Sequence, residues 1–151
     1  MKQLSIIPCG IKKVWDKYPD TGAVSASKAY IGTFHTLCRR YARTFTDNYV
    51  ILSAKHGFLF ADDIVDGPYD VTFNQKSNEI ITMERLREQV REKELDQYDE
   101  LIVLTGKKYK KVVYASFGES FPAVFPLLKY RGIGYMQQVL KQAVIEGKAI
   151  H

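Results

Sequence analysis

The chain has 151 residues, of which 46% are hydrophobic and 26% are charged, and its formal net charge at pH 7 is +5. This size and balance are ordinary for one soluble globular domain, which we expect to span residues 1–151. No apolar run approaches the roughly 20 residues of a membrane helix, and no signal peptide opens the sequence. We therefore expect a cytoplasmic protein without a membrane partner. The positive charge is consistent with a polyanionic partner.

Cys9 and Cys38 are the two cysteines of the chain. They do not make a disulfide framework, and neither Cys-x-x-Cys nor paired histidine spacing occurs. Asp62 and Asp63 are adjacent carboxylates that would point apart on an extended chain, and a third ligand for Mg²⁺ is not evident. We expect no metal and no cofactor.

The first third of the chain predicts a strand, a loop and a helix. Residues 3–8 are short, β-branched and apolar without strict alternation, which is typical of a strand buried on both faces. Residues 15–22 are rich in turn formers and predict a loop. An amphipathic helix with Ser25 or Ser27 as its N-cap then ends near residues 46–48. Its apolar face holds Tyr30, Phe34, Leu37, Cys38, Tyr41 and Phe45.

Residues 49–54 predict a second buried strand. The segment 56–77 has no helical period, but its four aromatic residues argue against disorder. We therefore expect an ordered, irregular flap. A charged, mostly exposed helix begins at Thr82, with Leu86, Val90 and Leu95 as its thin apolar line.

The last third of the chain predicts a strand over 99–104, a helix over about 107–117 and a final helix over about 134–147. Residues 121–128 are a candidate fourth strand, which two prolines restrict to a sheet edge. This order of elements predicts a single three-layer α/β domain with a mostly parallel, Rossmann-like sheet of four strands.

Four apolar stretches run directly into small, basic, glycine-containing loops, at residues 8–13, 53–57, 105–108 and 131–134. Parallel strands bring such loops to the carboxyl edge of one sheet, where open α/β sheets bind ligands. Glycine turns and helix N-termini attract anions through free amides, so we expect a phosphate-bearing ligand. Neither the Walker pattern nor the dinucleotide fingerprint is present. The candidate ligand-binding residues are Gly10, Lys13, Ser53, Gly57, Tyr69, Thr105, Gly106, Lys107, Arg131, Gly132 and Gly134.

Four residues are candidates for catalysis. Cys9 follows a strand and has lysines nearby that would lower its pKa, although a buried cysteine at a strand end is the simpler interpretation. Lys55, Asp62 and Asp63 would form acid–base pairs if the flap folds over the loop, or else a lysine–aspartate ion pair that holds the flap. Tyr69 and Tyr130 are candidates to stack a base, whereas Tyr109 is assigned to packing.

The motifs Pro8-Cys9-Gly10, Leu52-Ser53-Ala54-Lys55-His56-Gly57 and Pro68-Tyr69-Asp70-Val71 resemble those of an uncharacterised bacterial family. That family is distantly similar to the YaaA-like peroxide-stress proteins, in which a Leu-Ser-x-x-Tyr-Gly block and a Pro-Tyr pair recur. His56 stands where the family usually has tyrosine. The resemblance implies a nucleic-acid partner and a site made of Cys9, Lys13, Ser53, Lys55, Gly57, Asp62, Asp63 and Tyr69.

Three functions remain open at this stage. The first is a nucleotide- or nucleic-acid-directed domain, with a site at the carboxyl edge of the sheet and activity on a nucleobase or an N-glycosidic bond. The second is a non-catalytic protein that binds DNA through phosphates and protects it under stress. The third is a small-molecule enzyme that uses Cys9 as its nucleophile.

Overall fold

A computed structural model describes residues 1–151 and contains a five-stranded, mostly parallel sheet with six α-helices. The strands run in the order β4-β3-β1-β6-β7. The four parallel members are β1 (Gln3–Pro8), β3 (Asn48–Ser53), β6 (Glu100–Val103) and the short β7 (Ala123–Val124). The fifth, β4 (Gly57–Leu59), pairs antiparallel with β3.

Side chains alternate between the two faces of the sheet, and each face has its own hydrophobic core. In β1, Ile7 belongs to the core beneath α3 (Thr33–Phe45) and α6 (Ile133–Glu146). Leu4 and Ile6 belong to the core beneath α4 (Met83–Glu92) and α5 (Lys110–Phe117). Helices therefore cover both faces, as the continuous apolar strands predict.

Two short helices and a small ribbon lie beside α3. The helices are α1 (Val14–Lys17) and α2 (Ala26–Ala29), and the antiparallel ribbon joins β2 (Val24–Ser25) to β5 (Ile64–Val65). None of the helices of the chain has the length and hydropathy to cross a membrane.

The α/β class and the mostly parallel sheet are confirmed, and three details of the prediction differ. The main sheet has five strands because Phe58 and Leu59, placed in the irregular flap, return along β3 after a tight turn. The helix predicted from Ser25 is broken into α2 and α3, because residues 30–32 are extended and Gly32 begins a new helix. The loop predicted over residues 15–22 overlaps the short helix α1.

The start of α4 follows the prediction, whereas two elements in the last third of the chain differ from it in extent. Thr82 is the N-cap of α4, and its side chain accepts a hydrogen bond from the backbone N–H of Arg85 at 3.0 Å. The strand predicted over 121–128 shrinks to two residues at the sheet edge, consistent with the prolines at 122 and 126. The helix predicted from residue 107 opens with a 3-10 turn, Lys107–Tyr109, before α5.

Candidate functional site

A cavity of about 630 Å³ opens at the carboxyl edge of the sheet, beside the ends of β1 and β6. After β1 the chain continues to α3 on one face of the sheet, and after β6 it continues to α5 on the other face. The loops that follow β1 and β6 therefore diverge and leave a crevice between them. Each of the four glycine-containing loops contributes to the lining. Their contributions are Pro8 to Lys13, Ala54, Gly106 with Lys108, and Ile133.

Two long helices begin at this cavity. Gly32 is the N-cap of α3 and Gly132 is the N-cap of α6, and neither helix has a side-chain hydrogen bond at its cap. Residues Gly32 to His35 and Ile133 belong to the cavity lining. The first N–H groups of a helix have no partner within the helix and attract anions together with the helix dipole. The cavity therefore combines two uncapped, electropositive helix ends.

Lys13 is the buried cation of the site. It is 6% exposed and lines the cavity, and its ammonium donates to the Ile11 carbonyl at 3.0 Å. The Lys13 Nζ also lies 4.5 Å from the centre of the Tyr69 ring. None of the ion pairs of the chain involves Lys13, so its charge has no carboxylate partner. A buried lysine without a counter-ion is costly unless an anion binds beside it.

Tyr69 belongs to a hydrogen-bonded network behind the cavity. The Ser53 hydroxyl accepts hydrogen bonds from the backbone N–H groups of Lys55 and His56 and bonds the Tyr69 hydroxyl at 2.7 Å. Tyr69 in turn bonds the Tyr30 hydroxyl. Burial raises the pKa of Tyr69 far above its usual value and that of Tyr30 to about 12, so both phenols stay protonated near neutral pH. The network holds the Tyr69 ring against Lys13.

Cys9 lies at the edge of this network and is 8% exposed. Burial raises the pKa of the Cys9 thiol, although Lys13 and a hydrogen bond with Tyr69 act in the opposite direction. Because the thiolate is the nucleophile, this environment favours the interpretation of Cys9 as a packed residue. Cys38 is fully buried and lies in the core, as expected.

His35 is a titratable group of the lining that the sequence did not indicate. Its Nδ1 lies 2.8 Å from the Pro8 carbonyl and its Nε2 lies 3.5 Å from Arg39. The carbonyl can only accept, so Nδ1 carries the proton, and Nε2 accepts a long hydrogen bond from the Arg39 guanidinium. The pKa of His35 is lowered to about 4, chiefly by burial and also by the Arg39 charge, while the hydrogen bond with Pro8 acts in the opposite direction.

Several predicted catalytic residues lie apart from the cavity lining. Asp62 is exposed, and Asp63 forms an ion pair with Lys93 at 2.8 Å while it accepts from the Phe60 N–H. The predicted ion pair between Lys55 and an aspartate therefore does not form, and Asp63 pairs instead with Lys93, the C-cap of α4. Lys55 is half-buried, with its Nζ 5.7 Å from the Tyr69 ring centre.

Gly57 serves the fold and does not line the cavity. Its φ is +74°, and a Cβ built there would lie 2.1 Å from Gln89 Oε1. Gln89 is a buried residue of α4 whose amide binds the Phe58 N–H at 2.8 Å and the His56 carbonyl at 2.9 Å. The glycine is required because this helix side chain packs directly against the turn.

The remaining predicted binding residues divide into two groups. Gly10 and Gly106 line the cavity, as Lys13 does. The others lie outside the lining: Ser53 and Thr105 are fully buried, Tyr69 is half-buried behind it, and Lys107, Arg131, Gly132 and Gly134 are exposed. Tyr130 stacks on Tyr135 with ring centres 5.5 Å apart, so one ring face of each is already occupied.

Sequence reasoning missed three parts of the lining. They are the start of α3 (Gly32 to His35), the flap residues Asp70, Val71, Thr72 and Asn74, and Tyr109. Tyr109 was assigned to packing, yet it is half-buried in the cavity wall with Phe73 edge-on to it at 5.8 Å. Gly32 inside a helical pattern and the Gly67-Pro68 turn ahead of Asp70 were the available signals.

Comparison with known sequences gives two matches. A family described as "Family of unknown function (DUF6884)" matches residues 6–142. An "Uncharacterized protein YfjM" of Bacillus subtilis (strain 168) is 54% identical over 146 residues, which is 97% of each chain. No solved structure matches this chain.

Proposed function

The chain belongs to the family of unknown function DUF6884, and we propose that it binds a nucleotide, either free or within a polynucleotide. The sequence motifs predicted membership of an uncharacterised family, and this prediction is confirmed. The observation behind this proposal is that Lys13, buried without a carboxylate, and two uncapped helix N-termini line one cavity. Such a set of donors suits a phosphate group. The cavity volume lies within the range of about 300–1,000 Å³ common for ligand sites.

The rest of the lining supports a nucleotide over a bare anion. Phe34, Val71 and Tyr109 line the same cavity and provide apolar and aromatic surface for a base. Lys12 and Lys108 also line the cavity and add two positive charges to that of Lys13. A nucleotide has an anionic phosphate at one end and a flat base at the other, which match the positively charged and the apolar parts of the lining.

The topology and the motifs are further support. The parallel strands follow the order β3-β1-β6-β7, which we interpret as a Rossmann-like arrangement with its ligand crevice at the β1/β6 switch point. We also interpret the Leu-Ser-Ala-Lys-His-Gly block and the Pro-Tyr pair as a distant relationship to the YaaA-like proteins. That relationship would make nucleic acid a natural source of the nucleotide.

Thermal unfolding with and without ligand tests the proposal. A nucleoside 5′-monophosphate should raise the melting temperature by several degrees, because a ligand at 100 times its Kd stabilises the folded state by about 2.7 kcal/mol. The corresponding nucleoside and inorganic phosphate should each produce a much smaller shift. The Lys13→Met variant should lose the shift, and without ligand it should melt at a temperature at least equal to that of the parent because the unpaired charge is gone.

Lys17→Met is the matched control, since Lys17 is an exposed lysine at the end of α1. It should respond to the nucleotide as the parent does. The proposal is wrong if no nucleotide shifts the parent, or if inorganic phosphate alone gives the full shift.

Asp70 favours a second candidate, in which the domain hydrolyses the N-glycosidic bond of the bound nucleotide. Asp70 lines the cavity, whereas Asp62 and Asp63 do not, so it replaces them as the candidate general base. In this reaction water adds across the bond, with its hydroxyl going to the anomeric carbon and its proton to the departing base. Asp70 would accept the proton of the attacking water.

The Asp70→Asn variant separates catalysis from binding. It should bind the monophosphate as the parent does but release no free base, which chromatography of the reaction mixture would detect. If the parent itself releases no base from nucleotides or from oligonucleotides, the domain is a binder and the catalytic candidate is wrong.

A further inference from the structure

The outer face of α3 carries a concentration of positive charge that the cavity does not use. The helix has 13 residues, none of them acidic, and it contains Arg39, Arg40 and Arg43. Together with Thr36 and Thr44 these arginines border a shallow groove of about 370 Å³ that no apolar residue lines. We call Arg39, Arg40 and Arg43 the arginine row.

The arginine row has no acidic partner. The ion pairs of the protein join Arg85 to Glu88 and Glu92, and Lys93 to Asp63, all in or beside α4. Arg39 donates to the Ser27 carbonyl at 2.6 Å, which fixes its guanidinium without neutralising it. Arg40 and Arg43 are exposed. Three guanidinium groups on one face therefore remain available to an external anion.

The row contacts the wall of the cavity through His35. His35 lines the cavity, and one turn further along α3 the Arg39 guanidinium lies 3.5 Å from His35 Nε2. Arg43 follows one turn after Arg39, about 6 Å further along the helix axis at 1.5 Å per residue. The arginine row thus begins behind the cavity wall and runs along the side of α3.

The distribution of charge over the chain favours the same surface. Residues 79–100, which include α4, hold eight of the 17 acidic residues and only four of the 22 basic ones. The remainder of the chain is strongly basic. A polyanion would be repelled from the acidic α4 region, and the arginine row lies on the opposite face of the sheet.

We propose that the arginine row binds the phosphate backbone of a single-stranded polynucleotide, one nucleotide of which occupies the cavity. This inference rests on the proposed function, because it takes the cavity as the site of that nucleotide. A base can enter the cavity only when it is unpaired, and an unpaired base costs least in a single strand. Arg39 and Arg43 lie about 6 Å apart along the helix axis, with Arg40 between them, so the row can contact successive phosphates of one strand.

Binding of fluorescein-labelled oligothymidylate and oligouridylate of about 20 nucleotides, measured by anisotropy over a range of salt concentrations, tests the inference. The parent should bind such an oligonucleotide more tightly than the corresponding monophosphate. In the Arg40→Gln/Arg43→Gln variant the affinity should fall about tenfold, and the slope of log K against log salt should decrease by about 1.4, or 0.7 for each lost phosphate contact. Comparison of the two oligomers shows whether DNA or RNA is preferred.

The Arg87→Gln/Arg91→Gln variant removes the same charge from α4 and is the matched control. It should bind both oligomers as the parent does. Equal loss in the two double variants would mean that net charge alone governs binding, and tighter binding of a duplex would mean that the single-strand assignment is wrong. Either result overturns the inference.

The monophosphate distinguishes this inference from the proposed function. If the parent binds the monophosphate but gains nothing from the longer chain, the cavity assignment stands and the arginine row has no such role. If the oligonucleotide binds through the row while no monophosphate binds, the proposed function is wrong, and with it the part of the inference that places one nucleotide in the cavity.

Discussion

Helices α3 and α4 lie on opposite faces of the sheet and differ in how their N-termini are capped. The N-cap of α4 is Thr82, whose hydroxyl accepts a backbone hydrogen bond, and Glu84 lies in its first turn. The N-cap of α3 is Gly32, without a side-chain hydrogen bond and without an acidic residue in the first turn. Caps and first-turn acids stabilise a helix, so α4 satisfies its own N-terminus and α3 does not.

The side chains of the two helices repeat this difference. On α4, Arg85 pairs with Glu92 at 2.9 Å, and the buried Gln89 has hydrogen bonds on both its oxygen and its nitrogen. On α3 the arginines lack acidic partners, and the Nε2 of the buried His35 has only a long hydrogen bond of 3.5 Å from the Arg39 guanidinium. On α4, which lies away from the cavity, the N-terminus has a cap, and Arg85 and Gln89 have partners. On α3, which lines the cavity, the N-terminus lacks a side-chain cap and the arginines lack acidic partners. Incomplete stabilisation of this kind is expected where a ligand supplies the missing partner.

The largest effect should come from the α4 side, at the turn that Gln89 holds. Gly57 has a φ of +74°, and the Cβ that Gly57→Ala adds would lie 2.1 Å from Gln89 Oε1. The substitution therefore displaces the Gln89 amide, which makes two hydrogen bonds. We expect a loss of about 4 kcal/mol in the free energy of unfolding, measured by urea denaturation. Gly67→Ala is the control, because no atom lies within 4 Å of its Cβ. A loss below about 1 kcal/mol in Gly57→Ala would show that the turn adapts and that α4 does not hold it rigidly.

The pH dependence of the free energy of unfolding should distinguish His35, the buried polar residue of α3, from Gln89, the buried polar residue of α4. The pKa of His35 is lowered from 6.5 to about 4 on folding, chiefly by burial. Between these values the unfolded chain binds a proton that the native protein does not, so the free energy of unfolding decreases as the pH falls from 6.5 to 4. The contribution of His35 to this loss should be on the order of 3 kcal/mol. Gln89 does not titrate and contributes nothing.

Denaturation of the parent and of a His35→Asn variant across this pH range measures the contribution. The asparagine amide can still donate to the Pro8 carbonyl but cannot be protonated. Subtracting the two curves removes the effect of all other titrating groups. Parallel curves would indicate that His35 titrates normally and that the cavity wall is open to water.

Much of this fold follows from local patterns in the sequence. Continuous apolar runs at residues 3–8, 49–54 and 99–104 predict buried parallel strands, and Thr82 followed by an apolar period predicts the start of α4. β4 was not predicted because a strand of three residues is too short to show an alternating pattern of apolar and polar side chains. Its conformation depends on pairing with β3. The break before α3 was missed because the apolar residues on either side of Gly32 continue one helical pattern.

The candidate site was predictable only in part, because its location follows from topology and its chemistry from tertiary contacts. Glycines after strands indicate an edge of the sheet, and Gly10 and Gly106 do line the cavity there. Nothing in the sequence around Lys13 shows that its ammonium is buried against Tyr69, which lies 56 residues away. Asp63 pairs with Lys93 through the packing of α4, which no local motif encodes.

The smallest effect, and the most direct test of the contrast between the helices, comes from giving α3 the cap that it lacks. The Gly32 backbone is extended, at φ −66° and ψ 152°, and the nearest atom to its Cβ is 3.9 Å away, so a side chain fits there. Gly32→Asp should raise the free energy of unfolding by about 0.5 kcal/mol through capping and the helix dipole. The same carboxylate occupies the free amides and repels a phosphate, so affinity for a nucleoside monophosphate should fall at least about tenfold, or 1.4 kcal/mol.

Thr82→Asp applies the equivalent change to α4, where one capping side chain replaces another. It should leave both stability and monophosphate affinity close to those of the parent, as measured by denaturation and calorimetry. If Gly32→Asp stabilises the protein and binds the monophosphate with parental affinity, the N-terminus of α3 does not contact the phosphate. The absence of a cap on α3 would then have no connection with ligand binding, and the contrast with α4 would be one of stability alone.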